Sequence, residues 1–327
     1  MVIASILEGC SMPYVLRAGW TEAGILIRRI PIETAIEDTT RSKEQRDALR
    51  CVSTARAYAL RRNLDCAGSF ESYSPLDKEA LSWVVAGAKP FELTAKQWWF
   101  PIVGNVPYQG YFEKSDAIDA AEELKHEGYQ TIVRPVTAFS TLGWFKDPAL
   151  TPLLNRPPIE IVNTVIHECV HSTIWVPNNV PFNESVAHFV ALNETVLFFG
   201  SGSCPEAITG VDACSGYTQE AQAINDREVR YAQALTTLKK HLEKIFDNRA
   251  LSSELMAQEK RLAYENALNP ILGEKNRIKD NNAALLQELA YHQYFDCFVT
   301  IRKKYADSEL PELINHFKEC LLEETTP

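Results

Sequence analysis

Residues 158–176 read PIEIVNTVIHECVHSTIWV, and within them His167-Glu168-Cys169-Val170-His171 has the form H-E-x-x-H. Four residues advance a helix by slightly more than one turn, so both imidazoles project from one face toward a common ion while Glu168 stands beside them. Ile161, Val162, Val165, Ile166, Cys169 and Val170 are uncharged, which suits a buried helix that carries the pair into a low-dielectric cleft. Pro157 and Pro158 mark its start. The same spacing also fits two partly buried histidines satisfied by backbone or carboxylate partners.

Downstream of this stretch a third ligand is required, because a catalytic zinc site takes three protein donors and keeps one position open. PFNESVAHFVALNETVLFF, opened by Pro181, reads as a second helix able to pack on the first, and Glu184 is its best candidate donor. A metzincin-type third histidine needs a Gly at position 174 and a His at position 177, where the chain has Ile174 and Pro177. His188, one turn beyond Glu184, is a rival ligand or a hydrogen-bond partner of one, and Asn183 is expected to support the site from behind. Glu194 reads as a surface carboxylate. The donor set predicts one zinc ion, with Glu168 as the general base that takes a proton from water and passes it to a leaving amine. A further donor for the oxyanion is sought in ELAYHQYF, where Tyr291, His292 and Tyr294 each read equally well as core aromatics.

Around these two helices the chain changes character along its length. RSKEQRDALRCVSTARAYALRRNL is a Gly- and Pro-free helical segment, and an earlier helix is expected from about Pro13 to Ile30. LSWVVA, WWFPIVGNVPYQGYF and YQTIVRPV read as strands, the second with a hairpin turn at Gly104-Asn105. Between them Ser115 offers the cap of a helix that ends at Gly128. Beyond about residue 216 nearly everything is helical in pattern. The expectation is an α+β protein, mainly helical with a small, mostly antiparallel sheet. Its proposed segments are 1–79 (helical), 80–200 (sheet plus metal helices) and 201–327 (a helical lobe closing the cleft).

Composition narrows the function classes. The chain has 327 residues, 46% of them hydrophobic, enough for an ordinary core, and its net charge of −10 is scattered along the length. That balance argues against nucleic acid or an anionic membrane surface as the main partner. No apolar run approaches the ~20 residues of a membrane span. Residues 1–10 read either as the tail of a signal segment ending in a lipidation cysteine, Cys10, which implies a periplasmic or membrane-anchored protein, or as an ordinary cytoplasmic start. The eight cysteines contain no C-x-x-C pair and suggest neither a disulfide scaffold nor a cysteine metal site, although Cys204 and Cys214 flank a loop they could bridge. Oligomeric state is not legible.

Taken together, GCSMPYVLRAGW, WWFPIVGNVPYQGYF, HEGYQ, VTAFSTLGWFKDP, the block from His167 to Ala187 with FNES, and Asn281-Asn282-Ala283 followed by Tyr291 resemble the bacterial "Putative aminopeptidase" family, H-E-x-x-H proteins grouped with the gluzincins. The resemblance implies a zinc peptidase acting on peptides or small proteins, with His167, His171 and Glu184 as ligands and Glu168 as base. It also implies an edge strand ahead of the metal helix that pairs with substrate backbone, here Thr137, Ala138, Phe139, Ser140, Thr141, Leu142 and Gly143. Asn281, Asn282 and Tyr291 are assigned to the far wall of the cleft, Tyr291 as the oxyanion donor. The G-A-M-E-N-like string that holds a free amino terminus in well-known gluzincin aminopeptidases is absent. An endopeptidase with the same site, hydrolysis of a non-peptide amide, and a non-catalytic zinc or peptide-binding protein stay open as alternatives.

Overall fold

A computed structural model describes residues 24–100, 104–136, 146–201, 211–273 and 278–323. Cys10, Cys204 and Thr137 to Gly143 lie outside the described residues, and with them the expected Cys204–Cys214 pairing, as does most of the segment 13–30, whose last residue opens a strand. Strands β1 (Ile30–Pro31), β2 (Ser72–Ser74) and β8 (Ala149–Leu150) form one small sheet, antiparallel between β1 and β2 and parallel between β2 and β8. Strands β3 (Ser82–Ala88), β6 (Gln109–Tyr111) and β7 (Gln130–Val136) form a second, fully antiparallel sheet in the order β6-β3-β7. β4 (Trp98–Phe100) and β5 (Gly104–Val106) pair as a separate ribbon. The expected single sheet is thus three small ones. Gly104 and Asn105 pair with Phe100 and Trp99 inside that ribbon, so the reversal precedes them.

The helices follow the sequence pattern closely. After α1 (Ile32–Glu37), helix α2 (Lys43–Arg61) is capped by the Ser42 hydroxyl, which accepts from the Gln45 amide. Helix α3 (Lys114–His126) packs on the β6-β3-β7 sheet through Ala117, Ala121 and Leu124. It begins two residues earlier than a cap at Ser115 predicts, with Glu113 at the cap position and no side-chain cap bond, and Gly128 adopts a φ of 82° just past its end. A short helix α4 (Thr151–Leu154) leads to α5 (Pro158–Thr173) and α6 (Val180–Gly200), the two helices that carry the candidate ligands. The remainder is α7 (Val211–Asp247), α8 (Ser253–Leu272), α9 (Asn282–His292), α10 (Phe295–Lys304), α11 (Leu310–His316) and a last turn, α12 (Cys320–Glu323).

One core joins the beginning, middle and end of the chain. Val52 and Ala55 of α2, Val162, Val165 and Ile166 of α5, Phe182 and Phe189 of α6, and Phe298 of α10 all belong to it. Each such large apolar side chain contributes about 1.5–3 kcal/mol on full burial, so α5 and α6 are held by the most heavily buried part of the protein. A second core lies between α7, α8 and α9, around Leu235, Leu242, Tyr264, Leu268 and Leu285. Disulfides join Cys66 to Cys169 and Cys297 to Cys320. Neither was expected from the sequence. Among the described residues no helix is long and apolar enough to cross a membrane.

Candidate metal centre

The turn between α5 and α6 sets the site. Asn183, fully buried, accepts from the Val176 amide through Oδ1 and donates to the Val176 carbonyl through Nδ2, both at 2.8 Å. Asn179 caps α6 by accepting from the Phe182 amide. These bonds fix the first turn of α6 against the end of α5 and place Glu184 opposite the two histidines. His167 Nε2 lies 3.0 Å from His171 Nε2, and Glu184 Oε2 lies 3.4 Å from the first and 3.7 Å from the second. A tetrahedral ion with bonds of about 2.0–2.1 Å has ligand-to-ligand edges of about 3.3–3.4 Å. The triangle therefore has the size a zinc-class ion needs, and two imidazoles with one carboxylate are the donors it prefers.

Burial and charge act together here. Burial pushes the Glu184 carboxyl up, but hydrogen bonds from His167 and His171 outweigh it and hold the group well below the usual carboxylate range. For His171 burial pulls the imidazole down, and the Glu184 hydrogen bond with the charges of Glu184 and Glu168 more than reverse it. Glu168 Oε2 and His171 Nδ1 are buried with no protein hydrogen-bond partner. An orphaned buried carboxylate oxygen beside three converging donors is costly for stability alone, and it fits a group that serves a ligand or reactant.

His167 and Glu168 open onto a cavity of about 450 Å³, walled also by Arg134 of β7, Glu228 of α7, and Glu288 and Tyr291 of α9. Tyr291 stacks on His167 with ring centres 6.3 Å apart, and the Arg134 guanidinium sits 5.9 Å from the Tyr291 ring. Burial, reinforced by the charge of Glu184, raises the Tyr291 phenol far above its ordinary value, so it stays protonated. Of the three oxyanion candidates, Tyr291 and His292 line the cavity, whereas Tyr294 stacks on Phe298 in the core.

His188 stands on the cavity wall and faces Glu228 rather than the first triad, with Nε2 3.9 Å from Glu228 Oε2. Burial holds its imidazole down at about 4. His188, Glu228 and His292 form a second converging group, so the described residues contain two His/Glu triads able to hold a metal ion. Asn281 caps α9 and donates to the Thr131 carbonyl of β7, while Asn282, fully buried, donates to the carbonyls of Lys89, Pro90 and Glu92 and accepts from Tyr264. Both sit at the start of α9, binding it to the sheet. Glu194 is not the surface carboxylate expected: it is 4% exposed, accepts from the Tyr58 hydroxyl at 2.9 Å and pairs with Arg62 at 2.8 Å. Counting residues along α6 places it off the Glu184 face, but only the fold shows that face turned toward α2.

Glu228 and Arg134 escaped the sequence reading because no short spacing links them to the motif. One signal for Glu228 was present. Ala221, Ile224, Tyr231 and Leu235 mark an apolar stripe on α7, and Glu228 falls on it, a carboxylate where the helix turns inward.

The sequence profile of a family described as "Putative aminopeptidase" matches residues 13–319. No curated protein and no solved structure matches the chain.

Proposed function

The chain belongs to the "Putative aminopeptidase" family, which suggests a peptidase and implies a peptide substrate, and on that premise we propose a zinc-dependent peptidase of the gluzincin type. The observation that carries the reading is the triangle of His167, His171 and Glu184 donor atoms beside the orphaned Glu168 carboxylate. A zinc ion held there supplies Lewis acidity, which makes water a competent nucleophile near neutral pH and polarises a peptide carbonyl.

The protein's own groups do the rest. Glu168 takes the proton of the attacking water and returns it to the departing amine. The Tyr291 hydroxyl, kept protonated by burial, donates to the oxygen on which negative charge develops. Residues 137–143 are proposed to pair with the substrate backbone. Glu288, on the cavity wall, supplies a carboxylate to meet a free amino terminus, the group an exopeptidase of this polarity needs.

The test combines metal analysis with peptide digestion. Purified protein is expected to contain zinc, to lose activity with a chelator and to regain it on adding zinc. Cleavage confined to peptides with free amino termini supports the aminopeptidase reading, and equal cleavage of blocked peptides replaces it with an endopeptidase. Full activity after complete metal removal, or no cleavage of any peptide by zinc-loaded protein, overturns the proposal.

A further inference from the structure

The second triad is built as deliberately as the first. His292 Nε2 lies 3.0 Å from Glu228 Oε2, His188 Nε2 points at the same oxygen, and the three donor atoms lie within 4.8 Å of one another. His292 is oriented from behind, its Nδ1 lying 2.8 Å from the Glu288 carbonyl oxygen. A carbonyl only accepts, so Nδ1 carries a proton and the ring is turned with Nε2 toward Glu228, the atom that would bind a cation. This is how metal-binding histidines are held by their outer partners. The other Glu228 oxygen, Oε1, is already engaged by Arg227 at 2.9 Å, which leaves Oε2 as the ligand atom. Tyr231 and Phe295 flank the His292 ring, with centres 5.1 Å away, and lock its position.

We propose that His188, Glu228 and His292 bind a second divalent cation of the zinc class, on the wall of the same cavity. Two imidazoles and one carboxylate select zinc-like ions over calcium or magnesium, which take oxygen donors. Three protein donors leave a coordination position open, and all three residues line the cavity. The open position therefore faces whatever occupies that space. His188 connects the two sites, one helical turn beyond Glu184, about 6 Å along α6. The inference rests on its own donors and stands whether or not the first site hydrolyses peptides.

The experiment is zinc stoichiometry by elemental mass spectrometry on the full chain equilibrated with buffered zinc, alongside cobalt titration followed by visible absorption. Wild type is expected to bind two ions per chain. Glu228→Gln, a near-isosteric change, and His292→Ala are each expected to bind one, and His167→Ala with His171→Ala to bind one at the second site. Circular dichroism checks that each variant is folded, and Glu228→Gln keeps the test valid if His292→Ala is not. Wild type saturating at one ion, lost on changing His167 and His171 and untouched by Glu228→Gln, overturns the second site and leaves the first. One ion lost only in Glu228→Gln supports the second site and removes the first.

Discussion

Glu168 is the residue where geometry and chemistry separate most cleanly. It has a buried oxygen without a partner, and the role proposed for it is to move a proton. Glu168→Gln preserves shape and removes basicity; turnover is expected to fall by about 10²- to 10⁴-fold while zinc content stays unchanged. Peptide hydrolysis rates and metal analysis on one preparation check both halves, and a variant that keeps its rate removes Glu168 as the base. The motif was legible because an i, i+4 pair is a local statement about one helix. Glu194 was not, because its burial depends on α2, more than a hundred residues away. Removing its carboxylate in Glu194→Ala strands the Tyr58 hydroxyl and the Arg62 guanidinium. Losing one partner of a fully buried pair costs about 3–5 kcal/mol, and Arg62 is 37% exposed, so a loss of about 2–3 kcal/mol in urea unfolding is the expected outcome. A change below about 0.5 kcal/mol contradicts that account.

Helix α5 is gripped on two sides. His167 faces the cavity with His171 buried beside it, while Cys169, between them in sequence, is bonded to Cys66, and the Thr173 hydroxyl accepts from the Asp65 amide at 2.8 Å. The residue that reads in the motif as a free position thus ties the metal helix to the chain that follows α2. Such bonds persist in oxidising compartments. The link closes 103 residues of chain, for which loop-closure entropy predicts about 4–5 kcal/mol of stabilisation. Changing both cysteines to alanine is expected to lower the denaturant midpoint by an amount equivalent to about 2–5 kcal/mol. An unchanged midpoint in the double variant shows that core packing alone holds α5. Sequence gave no sign of this pairing, since its two cysteines carry no shared spacing. The start of α6 was different: Pro181 is a local signal, and the helix begins beside it, at Val180.

Across the whole molecule, the cavity exists because the β6-β3-β7 sheet is fastened to the helices behind it. Gln130 of β7 accepts from the Asn282 amide and from Lys260 Nζ, and Lys260 also donates to the Pro90 carbonyl. None of this junction was legible, because segments 130 to 193 residues apart meet through side chains that, read singly, look like surface lysine, glutamine and asparagine. Lys260 gives the junction a pH dependence. It is 2% exposed and donates to two neutral oxygens, and burial lowers its pKa to about 8, against a smaller opposing effect of Asp280. The folded chain therefore releases a proton that the unfolded chain still holds between about pH 8 and the ordinary lysine value near 10.4. Where the unfolded state binds more protons, stability rises with pH. Below pH 8 both states carry the proton, and the folded protein bears the full burden of the buried charge. Lys260→Met removes that burden at every pH and both hydrogen bonds with it. The difference in urea midpoint between wild type and Lys260→Met should accordingly shift in favour of wild type as pH is raised from 7 to 10, because only wild type gains from losing the charge. Parallel curves across that range show that the ammonium is solvated in the folded protein and that the sheet-to-helix junction is held by Asn282 and Gln130 without it.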